Sequence, residues 1–485
     1  MPSPSPIAEA FAAVLRDRGD DRLVMAPGEG RTLTGHDLDA AARALASSLH
    51  DCGLAPGHLV ISSLGNVAAM PALVLACLRE GWPLMPVDRS APPAELMALA
   101  DRWEAAAVLV PEASDLSADA SGRLPRALPG DLAAWLPAHL PTPGRHAPAA
   151  LLKLTSGTTG EPRATCTEER HLIADVRHIV DAMAIGPHER QLGVIPLSHS
   201  YGFSNLVMPL LWQGSPVLLR AQFVPTQVAG DIAAGALATF AGVPFMFEHL
   251  ARHQALPPLP SLRLVISAGA RLPFETVQAF HAATGRKVRS FYGSSETGGI
   301  CFDDGDALDA RVPVGRPMGA TQVDLVPDDD APDDAGRVQV SGPNVIDRYA
   351  GPAEGQPFDG VYLTGDYARR DDGGVYTLAG RVATVVNVAG RKVQPQEVEA
   401  ALRALPGVRD AVAIGVDDPL RGQALGVVVA SEAAWNARTI REALAPSLAP
   451  YKLPRVVVVT RALPLTDRGK VDRVAVARLL SGAVG

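Results

Sequence analysis

Residues 59–88 constrain this chain more than any other stretch. They open with LVISSL (59–64), run on uncharged to Leu78, and end in PLMPVD (83–88). Twenty uncharged residues in a row are long enough to suggest a membrane span, but Ser62, Ser63, Gly65, Asn66 and Pro71 interrupt them. Those residues divide the run into a short strand, a turn and a helix. Strand, helix and strand form a βαβ unit, and parallel strands need helices on their faces. The chain is expected to build an α/β sheet layered with helices.

The alternation continues on both sides. Helices are expected over 7–18 and 36–49. After them come a helix over 168–183, strands at 191–197, 216–219 and 239–243, a helix to 253, a strand over 262–267, a helix to 284 and a strand over 288–291. Residues 112–148, rich in Pro, Ala and Asp, read as loops around a short helix. From 312 to 349 the pattern shifts to short alternating strands, a small β-subdomain. Past 381 a separate smaller domain is expected, with helices over 395–404 and 439–448, strands over 411–416, 425–430 and 455–460, and a last helix. A chain of 485 residues suits about two to four domains. The boundary is expected between 1–380 and 381–485.

Bulk properties narrow the function. A net charge of −8 argues against nucleic acid or an anionic membrane as partner. Cys52, Cys77, Cys166 and Cys301 lie far apart with no CxxC pair, which indicates neither a disulfide framework nor a zinc site. The start, MPSPSP, has no basic or apolar signal region, so a cytoplasmic protein is expected. His249 and His253 sit four apart, but without an HExxH motif a packing or surface role fits better than a metal pair. The acidic loop 327–334 reads as a solvated hairpin tip, not a calcium loop. Lysine is scarce: Lys153, Lys287, Lys392, Lys452 and Lys470 are the five, against 39 arginines (44 − 5).

The chemistry begins at LTSGTTGEPR (154–163). It follows an apolar run and packs hydroxyls, glycines and Arg163 into one loop, so backbone N–H and side-chain O–H donors crowd together beside a fixed positive charge. That suits a phosphate cradle, although no GxxxxGK[S/T] loop occurs in the chain. Four further motifs follow in order: YGSSET (292–297), YLTGD (362–366), Gly380-Arg381 and PLTDRGKVDR (464–473).

This ordered set resembles the adenylate-forming superfamily: acyl- and aryl-CoA synthetases, adenylation domains of peptide synthetases, and luciferases. The resemblance runs from about Arg31 to the C-terminus. It implies a large N-terminal domain of doubly wound α/β subdomains with a small β-subdomain, then a small mobile α+β domain carrying the catalytic lysine. It implies ATP and Mg²⁺ as cofactors and a thiol acceptor, CoA or the phosphopantetheine of a separate carrier protein, with a homodimer left open.

Residue by residue, the resemblance implies that Thr155, Ser156, Gly157, Thr158, Thr159, Gly160 and Arg163 hold the β- and γ-phosphates. Many relatives carry Lys where this chain has Arg163. Glu296 would engage Mg²⁺. Tyr292 would stack on adenine against Ala268 and Gly269, with Gly293 and Ser295 in the same motif. Asp366 would accept the ribose hydroxyls and Arg381 would support ribose and phosphate. Lys470 would bridge the substrate carboxylate and the α-phosphate. The run VNVAGRKV (386–393) resembles the face that later meets the thiol, with Gly390 at the closest approach. One departure is Ala383, where the family pivot is usually Asp or Lys.

A carboxylate is ionised at pH 7 and needs no general base to attack phosphorus. Its obstacle is repulsion from an anionic phosphate, which is why cations and donors are required. Amino-acid-activating relatives carry an Asp in the stretch that reads PLSHSYGFS (196–204) here. With no acid there, an acyl or aryl acid is expected, and His199, Phe203 and Gly298 would border its pocket. The Lys470 loop itself reads like that of peptide-synthetase adenylation domains. A non-catalytic nucleotide- or acyl-binding relative is the alternative from another class.

Overall fold

The computed structural model describes residues 5–111, 123–155, 163–235, 237–252, 261–328, 334–350, 358–381, 386–393, 395–419, 422–464 and 471–483. The chain falls into two compact units: residues 1–89, 99–155 and 163–382 form the first, and residues 383–485 the bulk of the second.

In the first unit the βαβ expectation is met. Strand Val60–Ser62 pairs in parallel with Leu84–Pro86, and helix Ala69–Glu80 crosses between them. The helix is buried from Met70 to Cys77 and ends at Gly81, whose left-handed φ of 67° returns its N–H to the Cys77 carbonyl. That burial accounts for the uncharged run: it faces protein on most sides. Among the described residues no helix is long and apolar enough to cross a membrane. Helix Gly35–Asp51 packs against this one and starts with a capping box, Thr34 and Asp37 each bonding the other's backbone N–H at 3.1 and 2.9 Å.

Three sheets carry this unit among the described residues. One begins at the edge strand Arg31–Thr34 and passes through the parallel strands Arg22–Ala26, Val217–Leu219, Gln191–Gly193, Thr239–Gly242, Leu264–Ser267 and Val288–Ser294. It then turns antiparallel into Gly298–Phe302. A second holds Tyr349–Ala350, Arg163–Thr167, Leu151–Thr155, Leu84–Pro86, Val60–Ser62, Ala107–Pro111, Leu132–Leu136 and Leu124–Leu128 in that order. A third, of four antiparallel strands, joins Gln322–Val326, Gly336–Ser341, Val361–Arg370 and Tyr376–Arg381, the small β-subdomain.

Two expectations need correction. Residues 124–136 are not loops around a helix: they form a hairpin with Leu128 opposite Leu132. Its turn has Gly130 and Asp131 at φ 84° and 58°, the left-handed pair of a tight hairpin. Leu124, 65% exposed, lies on the outermost strand, so no alternating buried face marked the hairpin in sequence. The strand expected to stop at Phe291 runs on through Ser294, which places Tyr292 inside a ladder opposite Cys301.

In the second unit, Gly422–Ser431 is the central strand. It pairs antiparallel with Val408–Asp418 and Val386–Val388 and in parallel with Val456–Thr460. Helices Pro395–Arg403 and Ala437–Leu444 pack their Val398, Leu402, Ile440 and Leu444 on one face. Val476 and Leu480 of helix Arg473–Ser481 cover the other.

Candidate functional site

The phosphate-loop stretch 156–160 lies outside the described residues, but the strands that carry it are defined. Leu151–Thr155 and Arg163–Thr167 pair antiparallel, with Thr155 opposite Arg163 and Lys153 opposite Thr165. The chain therefore continues from the loop into a strand, not a helix.

Residues directly opposed across a ladder share a face, and so do residues two apart on one strand. Tyr349 pairs with Thr165 on the next strand. Lys153, Thr155, Arg163, Thr165 and Tyr349 thus occupy one face of the sheet. The Arg163 guanidinium lies over the Tyr349 ring, 5.6 Å from its centroid. The Tyr349 hydroxyl donates to Glu296 Oε1 at 2.8 Å, and the Tyr362 hydroxyl lies 3.4 Å from that of Tyr349. Burial and the Glu296 charge push both phenols far above their ordinary values, so both stay neutral donors.

Glu296 sits at the tip of the hairpin made by Val288–Ser294 and Gly298–Phe302, and is 8% exposed. Ser294 Oγ accepts from the N–H groups of Glu296 and Thr297, both at 3.2 Å, which shapes the tip. A carboxylate set among tyrosine hydroxyls is an oxygen-only donor group, which fits Mg²⁺. Beneath the tip, Asp175 of helix Glu169–Ala182 accepts from Ser204 Oγ at 2.6 Å and from the Gly299 N–H at 2.8 Å. Gly298, with φ +63°, presses on this carboxylate: a Cβ there would meet Asp175 atoms at 2.4 Å. Gly298→Ala is expected to lower stability by about 1–3 kcal/mol through strain and displacement of Asp175, read as a lower chemical-denaturation midpoint. Gly293 is equally confined, its missing Cβ 2.4 Å from the Gly298 carbonyl oxygen.

Tyr292 and Asp366 meet: the Tyr292 hydroxyl donates to Asp366 Oδ2 at 2.9 Å. The Tyr292 ring is buried with Ile300, Val338 and Val340 in the core of the small β-subdomain. Asp366 lies opposite Arg381 in the ladder, so the ribose-site pair expected from YLTGD and Gly380-Arg381 is adjacent in backbone register. The Arg381 side chain lies outside the described residues. Ala268 is buried and Gly269 takes φ 80° just after strand Leu264–Ser267.

The acyl-pocket candidates separate. His199 precedes the short helix Ser200–Gly202 and reaches Asp88, with Nε2 3.5 Å from Oδ2. Ser200 Oγ hydrogen-bonds Ser295 Oγ at 2.9 Å, tying this segment to the Glu296 hairpin. Phe203 is 2% exposed and opens a π-helical turn, Phe203–Val207, a widening frequent at functional sites. Reasoning from sequence passed over Asp88, Asp175, Tyr349 and the placement of Lys153 on the face shared by Thr155, Arg163 and Tyr349. Asp88 ending an apolar strand, and a lysine inside LLKL, were the available signals.

In the second unit, Val386–Val388 and Arg391–Val393 form a hairpin whose two turn residues, Ala389 and Gly390, have φ 51° and 84°. Arg391 lies over the Tyr451 ring, 4.7 Å from its centroid. Lys470 and Ala383 lie outside the described residues, as does His253. His249 Nδ1 bonds the Phe245 carbonyl within its own helix at 2.9 Å.

Residues 11–350 match the family described as AMP-binding enzyme, and residues 397–470 match the AMP-binding enzyme C-terminal domain. A sulfoacetate–CoA ligase of Cupriavidus necator is 30% identical, over 96% of this chain and 97% of that protein. A feruloyl-CoA synthase of an Amycolatopsis species is 29% identical, over 93% of this chain and 94% of that protein. The solved structure of an amide bond synthetase from Marinactinospora thermotolerans superposes with a TM-score of 0.81 at 27% identity, covering 97% of this chain and 99% of that one. ATP, Mg²⁺ and CoA are the cofactors of such ligases. With both matches in their proper order along one chain, this protein belongs to the AMP-binding enzymes and is an AMP-forming acid–thiol ligase.

Proposed function

We propose that the chain activates an acyl or aryl carboxylic acid, not an amino acid, and passes it to CoA. In the first step a carboxylate oxygen bonds to the α-phosphorus of ATP and pyrophosphate leaves. In the second a thiol sulfur bonds to the acyl carbon, AMP leaves, and the thiol proton is released. The observation that carries this reading is the joining of Glu296 to the loop-bearing hairpin through Tyr349, with Arg163 over the same ring. An acid suited to Mg²⁺ and a permanent cation thus meet at the mouth of a hydroxyl- and glycine-rich loop.

In this reading Thr155, Arg163 and residues 156–160 bind the β- and γ-phosphates, and Glu296 holds Mg²⁺, which when bound supplies positive charge to the phosphates. Asp366, steadied by Tyr292, accepts ribose hydroxyls beside Arg381, and Ala268 and Gly269 let the flat base approach. Residues 381–485 form the domain that brings Lys470 to the carboxylate and later presents the Gly390 turn to the thiol, pivoting near Ala383. The absence of an acid in 196–204 supports a substrate without an ammonium. Of the acids that reach this stretch, Asp88 already faces His199 and Asp175 accepts from Ser204 Oγ.

Pyrophosphate exchange over a panel of fatty, aryl, short polar and amino acids tests the first step. A comparison of CoA, a phosphopantetheinylated carrier protein and a simple amine tests the second. Exchange with amino acids alone, or thioester formed only on the carrier, would overturn the corresponding half of the proposal. His199→Ala is expected to raise KM for the acid about tenfold while KM for ATP stays within about twofold, since only the acid would touch the imidazole. Steady-state kinetics with each substrate varied in turn checks this.

A further inference from the structure

We propose that Lys153 is a further cation of the polyphosphate site, meeting the β- or γ-phosphate of ATP from the floor of the loop-bearing hairpin. This rests on the reading above, in which the 154–163 stretch holds the phosphates.

The placement comes from register. Tyr349, Thr165 and Lys153 stand in one row across three strands, and Thr155 and Arg163 form the neighbouring row on the same face. Lys153 is 5% exposed, yet among the described residues its ammonium makes no hydrogen bond or ion pair; only its backbone N–H is engaged, by Thr165 Oγ1 at 3.3 Å. The two carboxylates that influence it electrostatically are Asp175 and Glu296. Both have other bonds: Asp175 to Ser204 and Gly299, Glu296 to Tyr349.

A buried ammonium without a direct partner is costly, and burial pulls Lys153 below the ordinary lysine value while the two carboxylates push back. An arriving polyphosphate would supply the missing partner. Side-chain cations are needed beside Mg²⁺ because the chain leaves the loop as a strand, with no helix N-terminus starting there to add its dipole. Two cations on one sheet face, Arg163 at the rim and Lys153 below it, meet that need. A compact ammonium also suits a confined floor better than the broad guanidinium that this chain uses almost everywhere else.

The test compares Lys153→Met, Lys153→Arg and the unaltered full chain in equilibrium binding of Mg²⁺·ATP and of AMP. Lys153→Met is expected to bind ATP about 10- to 100-fold more weakly and AMP within about twofold of the unaltered chain. KM for ATP should rise while KM for the acid holds, and Lys153→Arg, which keeps the charge but must fit a broader group on the confined floor, should recover only part of the ATP affinity. Equal weakening toward both nucleotides would mean that the lysine merely neutralises Asp175 and Glu296, and would overturn the proposal. Unchanged ATP affinity in Lys153→Met would overturn it too. If Lys153→Met does not fold, Lys153→Gln against Lys153→Arg poses the same question. An unaltered chain that binds neither nucleotide would overturn the proposed function along with this inference.

Discussion

Lys470→Ala is expected to reduce acid-dependent pyrophosphate exchange by at least about 10²-fold, the scale on which removal of one preorganised transition-state donor is felt. The acid is an anion and so is the α-phosphate, so a positive charge between them matters most as the new P–O bond forms and charge spreads over the phosphoryl oxygens. Thiol attack on the finished acyl-AMP has no such encounter of anions. Supplied acyl-AMP should therefore be converted to the thioester by Lys470→Ala within a few-fold of the unaltered rate. The two half-reactions are read separately, by labelled pyrophosphate and by thioester release. Equal losses in both would contradict the assignment of the lysine to the first step alone.

Glu296→Gln should be nearly as damaging, through a different parameter. The amide keeps the shape and can still accept from the Tyr349 hydroxyl now 2.8 Å away, but it removes the one charge that would anchor Mg²⁺. The expected result is a fall of about 10²- to 10³-fold in the exchange rate together with a raised Mg²⁺ requirement, while AMP binding is retained. A Mg²⁺ titration of exchange at fixed ATP is decisive. An unchanged half-saturation point would remove Glu296 from the metal site. The substitution also strips a negative charge from the surroundings of Lys153, so ATP affinity should fall less than metal dependence.

What could be read in advance divides by distance along the chain. The capping box of Thr34 and Asp37, the buried run 70–77 and the helix Phe274–Thr284 closed by Gly285 are local events, and three or four neighbouring residues announce them. Glu296, Asp366 and Arg163 could be singled out as candidates because each lies in a short ordered motif. Lys153 and Asp88 were not, since their significance depends on partners far off in sequence: Tyr349 across two ladders for one, His199 for the other. The hairpin 124–136 was missed for a related reason. An exposed edge strand owes its form to Ala107–Pro111 beside its partner, not to any periodicity of its own. Tyr292 was read as a wall for the base, yet its hydroxyl is committed to Asp366 and its ring to the small sheet, a double duty invisible in YGSSET alone.

Both tips proposed to face the nucleotide are carried by paired strands, Leu151–Thr155 with Arg163–Thr167 and Val288–Ser294 with Gly298–Phe302. Such a tip can gain or lose residues without shifting the sheet that anchors it. Its electrostatic strength is set by individual side chains beside it, so selectivity for the length of the polyphosphate tail becomes adjustable by point substitution, with no backbone remodelling.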